Sequence, residues 1–280
     1  MSYSIENRII AITGSTGGLG NALAKALRDK GAKLALLDLS LDAANAQAQE
    51  LGGETVAKAW EVNVRSLQSL QTALDAAAKH FGGLDVVIAN AGVGWVGALE
   101  FMAPEAFDST IDINLNGVWR TFRAALPHIR NRKGYMLAIS SMAAFVHNPV
   151  HAHYAASKAG VWALCDSLRT ELRHQGIGVG SVHPTFFRTP MMDEVNADPV
   201  GNKLWEGNTK GLWKYIDIEH VIGDVVAGIE KRADIVVVPK GNTLVAQMPG
   251  LFRRLIERLG YSEEHIAETL RIAASEASRR

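Results

Sequence analysis

The sequence predicts an α/β fold, in which a single doubly wound domain is built around a central parallel sheet of seven strands and is followed by a C-terminal helical extension. Two observations support this prediction. Short runs that are apolar throughout alternate with longer helical patterns, which indicates strands covered by helices on both faces of a parallel sheet. The alternation fills about 240 of the 280 residues without an internal repeat or interior linker, so one domain accounts for it.

The elements follow from the apolar runs and from helix end signals. Buried strands are indicated by runs such as RIIAIT and KLALLD, and helix ends by Gly31 and Gly52. The strands are predicted at residues 8–13, 33–38, 55–62, 84–90, 135–140, 177–183 and 234–239. The helices are predicted at residues 19–31, 41–52, 66–81, 104–131, 152–174 and 218–231. We expect residues 1–240 to form the sheet domain, with a substrate lid at about 190–218, and residues 241–280 to form the extension.

The composition excludes several classes of protein. Lys plus Arg and Asp plus Glu both number 29, and the resulting net charge of +0 argues against a general nucleic-acid binder. Cys165 is the single cysteine, so no internal disulfide can form. The N-terminus lacks the pattern of a signal peptide, and no apolar run reaches the roughly 18 residues of a membrane helix. A cytoplasmic protein is the expectation.

The turn between the first strand and the first helix has the sequence TGSTGGLG, with spaced glycines at Gly14, Gly18 and Gly20. Because glycine lacks a Cβ atom, phosphate groups can approach the backbone, and the free N–H groups of the helix N-terminus attract a pyrophosphate. The turn follows a strand and opens a helix in a βαβ unit, so it predicts a dinucleotide site of the Rossmann type. A glycine-rich turn without a ligand is the alternative.

Asp38 indicates which dinucleotide binds there. It ends the second strand, where a carboxylate can accept hydrogen bonds from the ribose hydroxyls of the adenosine. Its negative charge would repel a 2′-phosphate, and no arginine or lysine stands beside it in LLDLS. The sequence therefore predicts NAD rather than NADP. In the alternative interpretation, Asp38 only caps the next turn.

Tyr154 and Lys158 stand four residues apart in YAASK, within a predicted helix, so both side chains lie on one face. A free tyrosine has a pKa of roughly 10 and is a poor acid or base at neutral pH. A nearby ammonium group favours the phenolate and lowers that pKa, which suits the pair to proton transfer. Taken alone, the spacing is more typical of a solvated helix face.

Together these motifs resemble the short-chain dehydrogenase/reductase family over about the first 240 residues. The turn TGSTGGLG matches the family's TGxxxGxG, and Asn90-Ala91-Gly92 matches its NAG motif after the fourth strand. The resemblance implies a Rossmann-type fold and an NAD-dependent oxidoreductase that acts on an alcohol or carbonyl group. It also implies a homodimer or homotetramer.

The resemblance further implies a catalytic set of Asn114, Ser141, Tyr154 and Lys158. In that set Tyr154 gives or takes the proton of the substrate oxygen, and Ser141 hydrogen-bonds the same oxygen and stabilises its developing charge. Lys158 would lower the pKa of Tyr154 and bind the ribose hydroxyls of the cofactor. Asn114 would hold a water that connects Lys158 to solvent.

The cofactor contacts are implied in the same way. Asn63 stands where the family often has an aspartate that contacts adenine, and Thr189 matches the residue that contacts the nicotinamide carboxamide. The full set is Gly14, Ser15, Thr16, Gly18, Leu19, Gly20, Asp38, Asn63, Val64, Asn90, Ala91, Gly92, Tyr154, Lys158, Pro184 and Thr189. No metal site is predicted, since the histidines between Ser141 and Tyr154 have no acidic or cysteine partner near them.

Three departures from the family pattern bear on the substrate. Pro184-Thr185 replaces Pro-Gly after the sixth strand, the usual glycine is absent from SSMAAF, and a glycine-rich ending of the VDGG type is missing. The ending VVVPKGNTLVAQMPG resembles that of members acting on steroids, retinoids or other lipophilic alcohols. The expected reaction is therefore hydride transfer between NAD(H) and a lipophilic secondary alcohol or ketone.

Two segments are expected near this substrate. The lid contributes Met191, Met192, Leu204, Trp205, Leu212, Trp213 and Tyr215, and the loop before Tyr154 contributes Phe145, His147, His151 and His153. Flexible methionines and flat aromatic rings suit an apolar ligand. Ordinary packing or an oligomer contact is the alternative for the lid residues.

The chain after Gly250 has the pattern of an amphipathic helix. One face can carry Leu251, Phe252, Leu255, Ile256 and Leu259, with Arg253, Arg254 and Arg258 elsewhere. We prefer a helix docked on the domain or on a partner subunit, and a helix lying on a membrane surface is the alternative.

Two other function classes stay open at this stage. A non-enzymatic dinucleotide sensor or scaffold would be expected to lose the tyrosine or the lysine, whereas this chain keeps both. Epimerase or dehydratase chemistry is permitted by the same serine, tyrosine and lysine. The larger substrate domain of many epimerases is absent, which disfavours it.

Overall fold

The computed structural model describes residues 3–209 and 211–279. Seven strands in these residues form one sheet, and every neighbouring pair is parallel. The strands are β1 (Ile9–Thr13), β2 (Lys33–Asp38), β3 (Ala57–Glu61), β4 (Val86–Ala89), β5 (Tyr135–Ile139), β6 (Gly178–Pro184) and β7 (Ile235–Val238). Their order in the sheet is β3-β2-β1-β4-β5-β6-β7. The predicted doubly wound α/β fold is confirmed.

Helices cover both faces of the sheet, which is why β1, β4 and β5 are buried along their whole length. The helices are α1 (Gly18–Asp29), α2 (Leu41–Glu50), α3 (Leu67–Phe81), α4 (Pro104–Ile111), α5 (Gly117–Arg132), α6 (Ala152–Leu172), α7 (Pro190–Ala197), α8 (Pro199–Trp205), α9 (Ile218–Lys231), α10 (Thr243–Gln247), α11 (Pro249–Gly260) and α12 (Glu263–Ala277). One apolar cluster joins the sheet to α1, α2 and α9, and a second joins it to α3, α5 and α6.

The order of the strands places a ligand crevice. The chain builds outward from β1 to β3 on one side and from β4 to β7 on the other, so the direction of winding reverses between β1 and β4. In doubly wound sheets ligands bind at the carboxyl ends of the strands around such a switch point. The segments that follow β1, β2, β4, β5 and β6 therefore face one region.

The predicted helix at 104–131 is interrupted, which corrects the sequence prediction. A π-helical turn at Asp112–Asn116 separates α4 from α5. Single π-turns inside helices are frequent at functional sites. Asn114 lies in this turn, and its side-chain amide bonds both main-chain groups of Val93 at 2.8 Å. This tertiary contact is not visible in the helical pattern of the sequence.

Other differences concern element ends and short helices. The strand predicted at 55–62 begins only at Ala57, because the N–H groups of Val56 and Ala57 both donate to the Gly53 carbonyl in a turn. The lid contains α7 and α8, and the extension contains α10 and α12 in addition to α11. The two lid helices each begin at a proline, Pro190 and Pro199, a residue favoured in the first helical turn.

The extension is docked on the rest of the chain. Tyr261, between α11 and α12, stacks on Trp213 with ring centroids 5.0 Å apart. Its hydroxyl accepts a hydrogen bond from Trp205 Nε1 at 3.2 Å and donates one to Asn148 Oδ1 at 2.9 Å. Ala273 of α12 belongs to one apolar cluster with Trp205 and Tyr261. The extension thus packs against the lid and the loop before α6, while a domain boundary at residue 240 stays a prediction.

None of the described helices is both long enough and apolar enough to cross a membrane.

Replacing Tyr261 by phenylalanine should destabilise the protein. The change keeps the ring but leaves the Trp205 N–H and the Asn148 carbonyl without their shared partner, at a cost of about 1–3 kcal/mol. For a chain of this length the corresponding fall in Tm is a few degrees, measurable by thermal denaturation followed by circular dichroism.

Tyr3→Phe is the matched control for this change. The hydroxyl oxygen of Tyr3 is buried and has no hydrogen-bond partner among the described residues, so its removal should leave Tm unchanged or raise it. A Tyr261→Phe variant that melts at the wild-type temperature would contradict the role of this hydroxyl as an anchor.

Candidate active site

A cavity of about 720 Å³ lies at the carboxyl ends of the strands around the switch point. It brings together most of the residues that the sequence predicts for the site: Gly14, Thr16, Gly18, Leu19, Gly20, Asp38, Asn63, Val64, Asn90, Ala91, Gly92, Ser141, Tyr154, Lys158, Pro184 and Thr189. Ser15 and Asn114 do not line the cavity and are instead fully buried. Contact of any of these residues with a cofactor stays a prediction.

The glycine turn is held by close backbone packing. Gly14 has a φ of +62°, and a Cβ atom placed on it would lie 2.8 Å from the Ala91 Cα. A Cβ atom on Gly20 would overlap the carbonyl oxygen of Gly14. The Asn90 amide donates to the carbonyl oxygens of Thr13 at 3.0 Å and Gly14 at 2.9 Å. Asn90 therefore fixes the shape of the turn from the neighbouring strand.

The first turn of α1 presents backbone donors to the cavity. The N-cap residue, Gly17, has no side chain that could satisfy the free N–H groups of this turn. Gly17, Gly18, Leu19 and Gly20 all line the cavity. Free N–H groups at the positive end of a helix dipole suit an anion such as a pyrophosphate. The residues present therefore fit a dinucleotide.

Asp38, at the end of β2, lines the cavity. Its Oδ2 accepts hydrogen bonds from the Thr16 backbone N–H at 2.9 Å and from Thr16 Oγ1 at 2.8 Å. Arg65 also lines the cavity, but its Nε donates to Asp112 Oδ2 at 2.8 Å. Burial opposes ionisation of Asp112, yet hydrogen bonds from Arg65 and Arg120 outweigh it and lower its pKa to about 2. Among the described residues, the one arginine that lines the cavity is thus already paired with a carboxylate.

Tyr154 and Lys158 project from α6 into the same cavity, with the Lys158 Nζ 5.4 Å from the centre of the Tyr154 ring. Burial raises the pKa of Tyr154, and a hydrogen bond with the Ser141 side chain partly offsets that rise. Burial lowers the pKa of Lys158 to about 8, and its Nζ donates to the Ile139 carbonyl at 2.9 Å. Burial thus acts against the lowering of the Tyr154 pKa that was expected from Lys158, and this role of Lys158 stays a prediction.

Ser141 is the second residue after β5 and is held from two sides. Its Oγ accepts a hydrogen bond from the Ala143 N–H at 3.1 Å, and its carbonyl accepts one from His183 Nδ1 at 3.2 Å. Because a carbonyl only accepts, Nδ1 of His183 carries the hydrogen, and Nε2 then accepts from Ser181 Oγ at 2.8 Å. Burial lowers the pKa of His183 to about 4, which favours the neutral ring. The sequence analysis missed this supporting histidine.

Asn114 holds the loop after β4 rather than facing the cavity. Its Oδ1 accepts from the Val93 N–H, and its Nδ2 donates to the Val93 carbonyl and to Ser157 Oγ at 3.2 Å. Both amide hydrogens are therefore used, so a water held by this side chain would have to bind the second lone pair of Oδ1. A Cβ atom on Gly92 would lie 3.2 Å from Oδ1 and 3.7 Å from Lys158 Nζ, so Gly92 keeps the space between them open.

The predicted lid residues divide into two groups. Met191, Met192 and Trp213 line the cavity. The others do not: Leu204 and Trp205 are buried in packing, Leu212 is exposed, and the Tyr215 hydroxyl accepts a hydrogen bond from Asn196. Of the residues predicted in the lid, only Met191 and Met192 of α7 and Trp213 thus line the cavity.

Of the four predicted loop residues, His151 alone lines the cavity. Its ring stacks on that of Tyr154, with centroids 4.6 Å apart and planes 11° from parallel. Phe145 is a core residue, His147 contacts Glu257, and His153 donates to the Trp95 carbonyl at 3.1 Å. His151 thus forms a wall beside the candidate proton donor.

Further residues line the cavity that no sequence motif indicated. Apolar and aromatic residues of this group that follow the strands include Leu39, Val93, Trp95, Met142, Val146, Phe186 and Phe187. They lie in the segments after β2, β4, β5 and β6. The rule that ligands bind beyond the carboxyl ends of parallel strands could have identified them.

The chain was compared with known proteins. A family model described as short chain dehydrogenase matches residues 8–200. Over 207 residues, which cover 73% of this chain and 76% of the relative, it is 31% identical to D-threitol dehydrogenase of Mycolicibacterium smegmatis. Over 208 residues, which cover 68% of this chain and 75% of the relative, it is 35% identical to an uncharacterised NAD-dependent oxidoreductase of Mycobacterium tuberculosis.

Solved structures agree with these relatives. The fold is similar to that of 3-ketoacyl-(acyl-carrier-protein) reductase from Brucella melitensis complexed with NADH. The TM-score is 0.72 and the identity 25%, and the match covers 84% of this chain and 98% of that one. The chain belongs to the short-chain dehydrogenase/reductase family of oxidoreductases.

Proposed function

We propose that this protein is an NAD-dependent dehydrogenase or carbonyl reductase, which transfers a hydride between NAD(H) and a lipophilic secondary alcohol or ketone. One observation carries the proposal. Ser141, Tyr154 and Lys158 line the same cavity as the glycine turn that suits a pyrophosphate. A proton donor, a stabilising hydroxyl and a cation thus surround one place where a carbonyl carbon could meet the nicotinamide.

The proposed roles follow from the contacts of each side chain. Bound NAD(H) would accept or supply the hydride at its nicotinamide ring. Tyr154 gives a proton to the substrate oxygen during reduction, and its raised pKa keeps the phenol protonated at neutral pH. The Ser141 hydroxyl donates to the same oxygen as negative charge develops on it. Lys158 keeps two N–H donors beyond its bond to Ile139, which are available to the cofactor ribose.

The substrate end of the cavity supports a lipophilic ligand. Trp95, Phe186 and Trp213 present aromatic rings there, and Met191 and Met192 present flexible thioethers. Such side chains bind apolar surface and adapt to its shape. The proposal of a steroid, retinoid or long-chain alcohol rests on this lining.

The preference for NAD over NADP is supported by the charges at the adenosine end. Asp38 lines the cavity and would repel a 2′-phosphate. Arg65, the cation nearest in sequence among the described lining residues, is bound to Asp112. Its guanidinium would have to leave that carboxylate before it could bind a phosphate.

The other function classes receive less support. A sensor or scaffold has no need of a tyrosine and a serine that share a hydrogen bond within the ligand cavity. Epimerase or dehydratase chemistry is compatible with the same residues and is separated by stoichiometric turnover of NADH. A homodimer or homotetramer and a cytoplasmic location stay predictions.

Tyr154→Phe should abolish turnover while NADH binding stays within about twofold of the wild type. The variant lacks the proton donor, and loss of a general acid typically costs 10²–10⁴ in rate. Turnover is followed by NADH absorbance with a ketone panel, and binding by NADH fluorescence titration. Tyr215→Phe, which changes a tyrosine outside the cavity, is the matched control. Substantial activity in the Tyr154 variant would sink the assignment.

The length of the substrate tests the lipophilic proposal. Each methylene that enters an apolar cavity contributes about 0.8 kcal/mol. We therefore expect kcat/KM for a series of 2-alkanols to rise about fourfold per methylene until the cavity is filled. A terminal hydroxyl on the same alcohols should remove that gain, and a flat series would rule out an apolar substrate site.

A double substitution, Asp38→Ser with Leu39→Arg, should shift the cofactor preference toward NADPH. It removes the repelling carboxylate and adds a cation at a position that is 68% exposed and lines the cavity. The ratio of kcat/KM for NADPH to that for NADH should rise by at least about tenfold. Leu41→Arg adds the same charge outside the cavity and should leave the ratio unchanged. A wild-type enzyme that already prefers NADPH would overturn the role given to Asp38.

A further inference from the structure

The outer side of α11 carries a stripe of exposed aliphatic side chains. Leu251, Leu255 and Leu259 are 64%, 58% and 71% exposed. Their spacing of four residues places them along one helix face. We call Leu251, Leu255 and Leu259 the α11 apolar face. Single exposed leucines are ordinary on a protein surface, but a contiguous row indicates an interaction site.

The docked extension fixes which way this face points. Phe252 and Ile256, which lie next to the leucines around α11, are partly buried, so the helix meets the rest of the chain on that side. At the end of the helix Trp213 packs against Gly260, and its Nε1 donates to the Gly260 carbonyl at 3.4 Å. Tyr261 then anchors the chain between Trp205 and Asn148. The helix therefore cannot roll its apolar face inward without breaking these contacts.

The α11 apolar face is accompanied by positive charge. Arg254 and Arg258 are exposed and follow Leu251 and Leu255 by three residues each, so they flank the leucines on the same side. Neither arginine has an ion-pair partner among the described residues. Glu257, the one acidic residue of α11, faces away and accepts from the His147 N–H at 3.3 Å. The positive charge is local, since the whole chain has a net charge of +0.

We propose that the α11 apolar face binds an anionic membrane surface, with its leucines at the boundary between headgroups and acyl chains. Arg254 and Arg258 would extend their charged ends to the lipid phosphates. Leucines on one side with arginines beside them are typical of helices that lie in the plane of a membrane interface.

A second copy of the chain fits this face less well than a lipid surface. A two-fold contact would bring two identical patches together, and each patch carries arginines without an exposed acidic partner on the same helix. Anionic lipids supply the missing negative charge, and their acyl chains cover the leucines.

The position of the face also suits the proposed substrate. Trp213 lines the cavity and contacts Gly260, so the C-terminal end of α11 lies next to a residue of the cavity wall. If the proposed function holds, a lipophilic alcohol dissolved in the bilayer would reach the cavity from this side. Membrane binding itself does not depend on that function.

Co-sedimentation of the full chain with vesicles tests the proposal. Vesicles of phosphatidylcholine alone are compared with vesicles that also contain phosphatidylglycerol. We expect stronger binding to the anionic vesicles, weakened by added salt. The triple variant Leu251→Ser/Leu255→Ser/Leu259→Ser should lose binding to both. The double variant Arg254→Gln/Arg258→Gln should bind anionic vesicles about thirtyfold more weakly, at about 1 kcal/mol per arginine.

Matched controls change the same residue types elsewhere on the surface. Leu270→Ser removes an exposed leucine from α12, and Arg123→Gln with Arg173→Gln removes two exposed arginines. These variants should bind like the wild type. Thermal melting and NADH titration show whether each variant is folded, independently of any turnover.

Two results would overturn the proposal. One is absence of binding to either kind of vesicle by a folded wild-type chain. The other is a concentration-dependent dimer, seen by light scattering, that the triple serine variant abolishes without any vesicle binding in the wild type. That second result would assign the α11 apolar face to another copy of the chain.

Discussion

The contact between the glycine turn after β1 and the Asn90 segment after β4 is the constraint on which the site depends. A Cβ atom on Gly14 would crowd the Cα of Ala91, and one on Gly20 would overlap the carbonyl oxygen of Gly14. The Asn90 amide closes this contact by bonding the Thr13 and Gly14 carbonyls. Because β1 and β4 are neighbours at the switch point, the same contact leaves the N–H groups of α1 facing the cavity.

The reacting side of the cavity depends on a second set of backbone contacts, in which β5 and α6 hold each other. Lys158 Nζ donates to the Ile139 carbonyl at the end of β5, and Ser140 Oγ donates to the Lys158 carbonyl at 2.9 Å. Ser141 is thereby kept next to the helix that carries Tyr154. His183 supports the Ser141 carbonyl from β6. The three candidate catalytic side chains therefore owe their proximity to hydrogen bonds that involve no ligand.

The sheet was predictable from the sequence because its strands are apolar throughout and its first turn is rich in glycine. The π-turn at Asp112–Asn116 was not predictable, since it accompanies a hydrogen bond from the Val93 N–H to Asn114, and these residues are 21 positions apart in the chain. The direction of the Tyr154 pKa shift also could not be predicted from the sequence. Spacing indicates that Lys158 is near, but not that burial dominates the phenol and that the ammonium is bonded to Ile139. The supporting role of His183 could not be predicted for the same reason, because its Nδ1 bonds the carbonyl of Ser141, 42 residues earlier in the chain.

For the C-terminal extension, the sequence pattern and the tertiary structure give complementary information about where the helices pack. The helical pattern after Gly250 indicates an amphipathic helix but leaves its partner open. Tyr261 identifies the partner on the inner side of the extension. Its ring stacks on Trp213, and its hydroxyl bonds Trp205 and Asn148. Displacement of α11 would therefore disturb Trp213, which lines the cavity. Any surface that binds the outer side of α11 would favour the packed arrangement of Trp205, Trp213 and Tyr261, since a ligand stabilises the conformation to which it binds better.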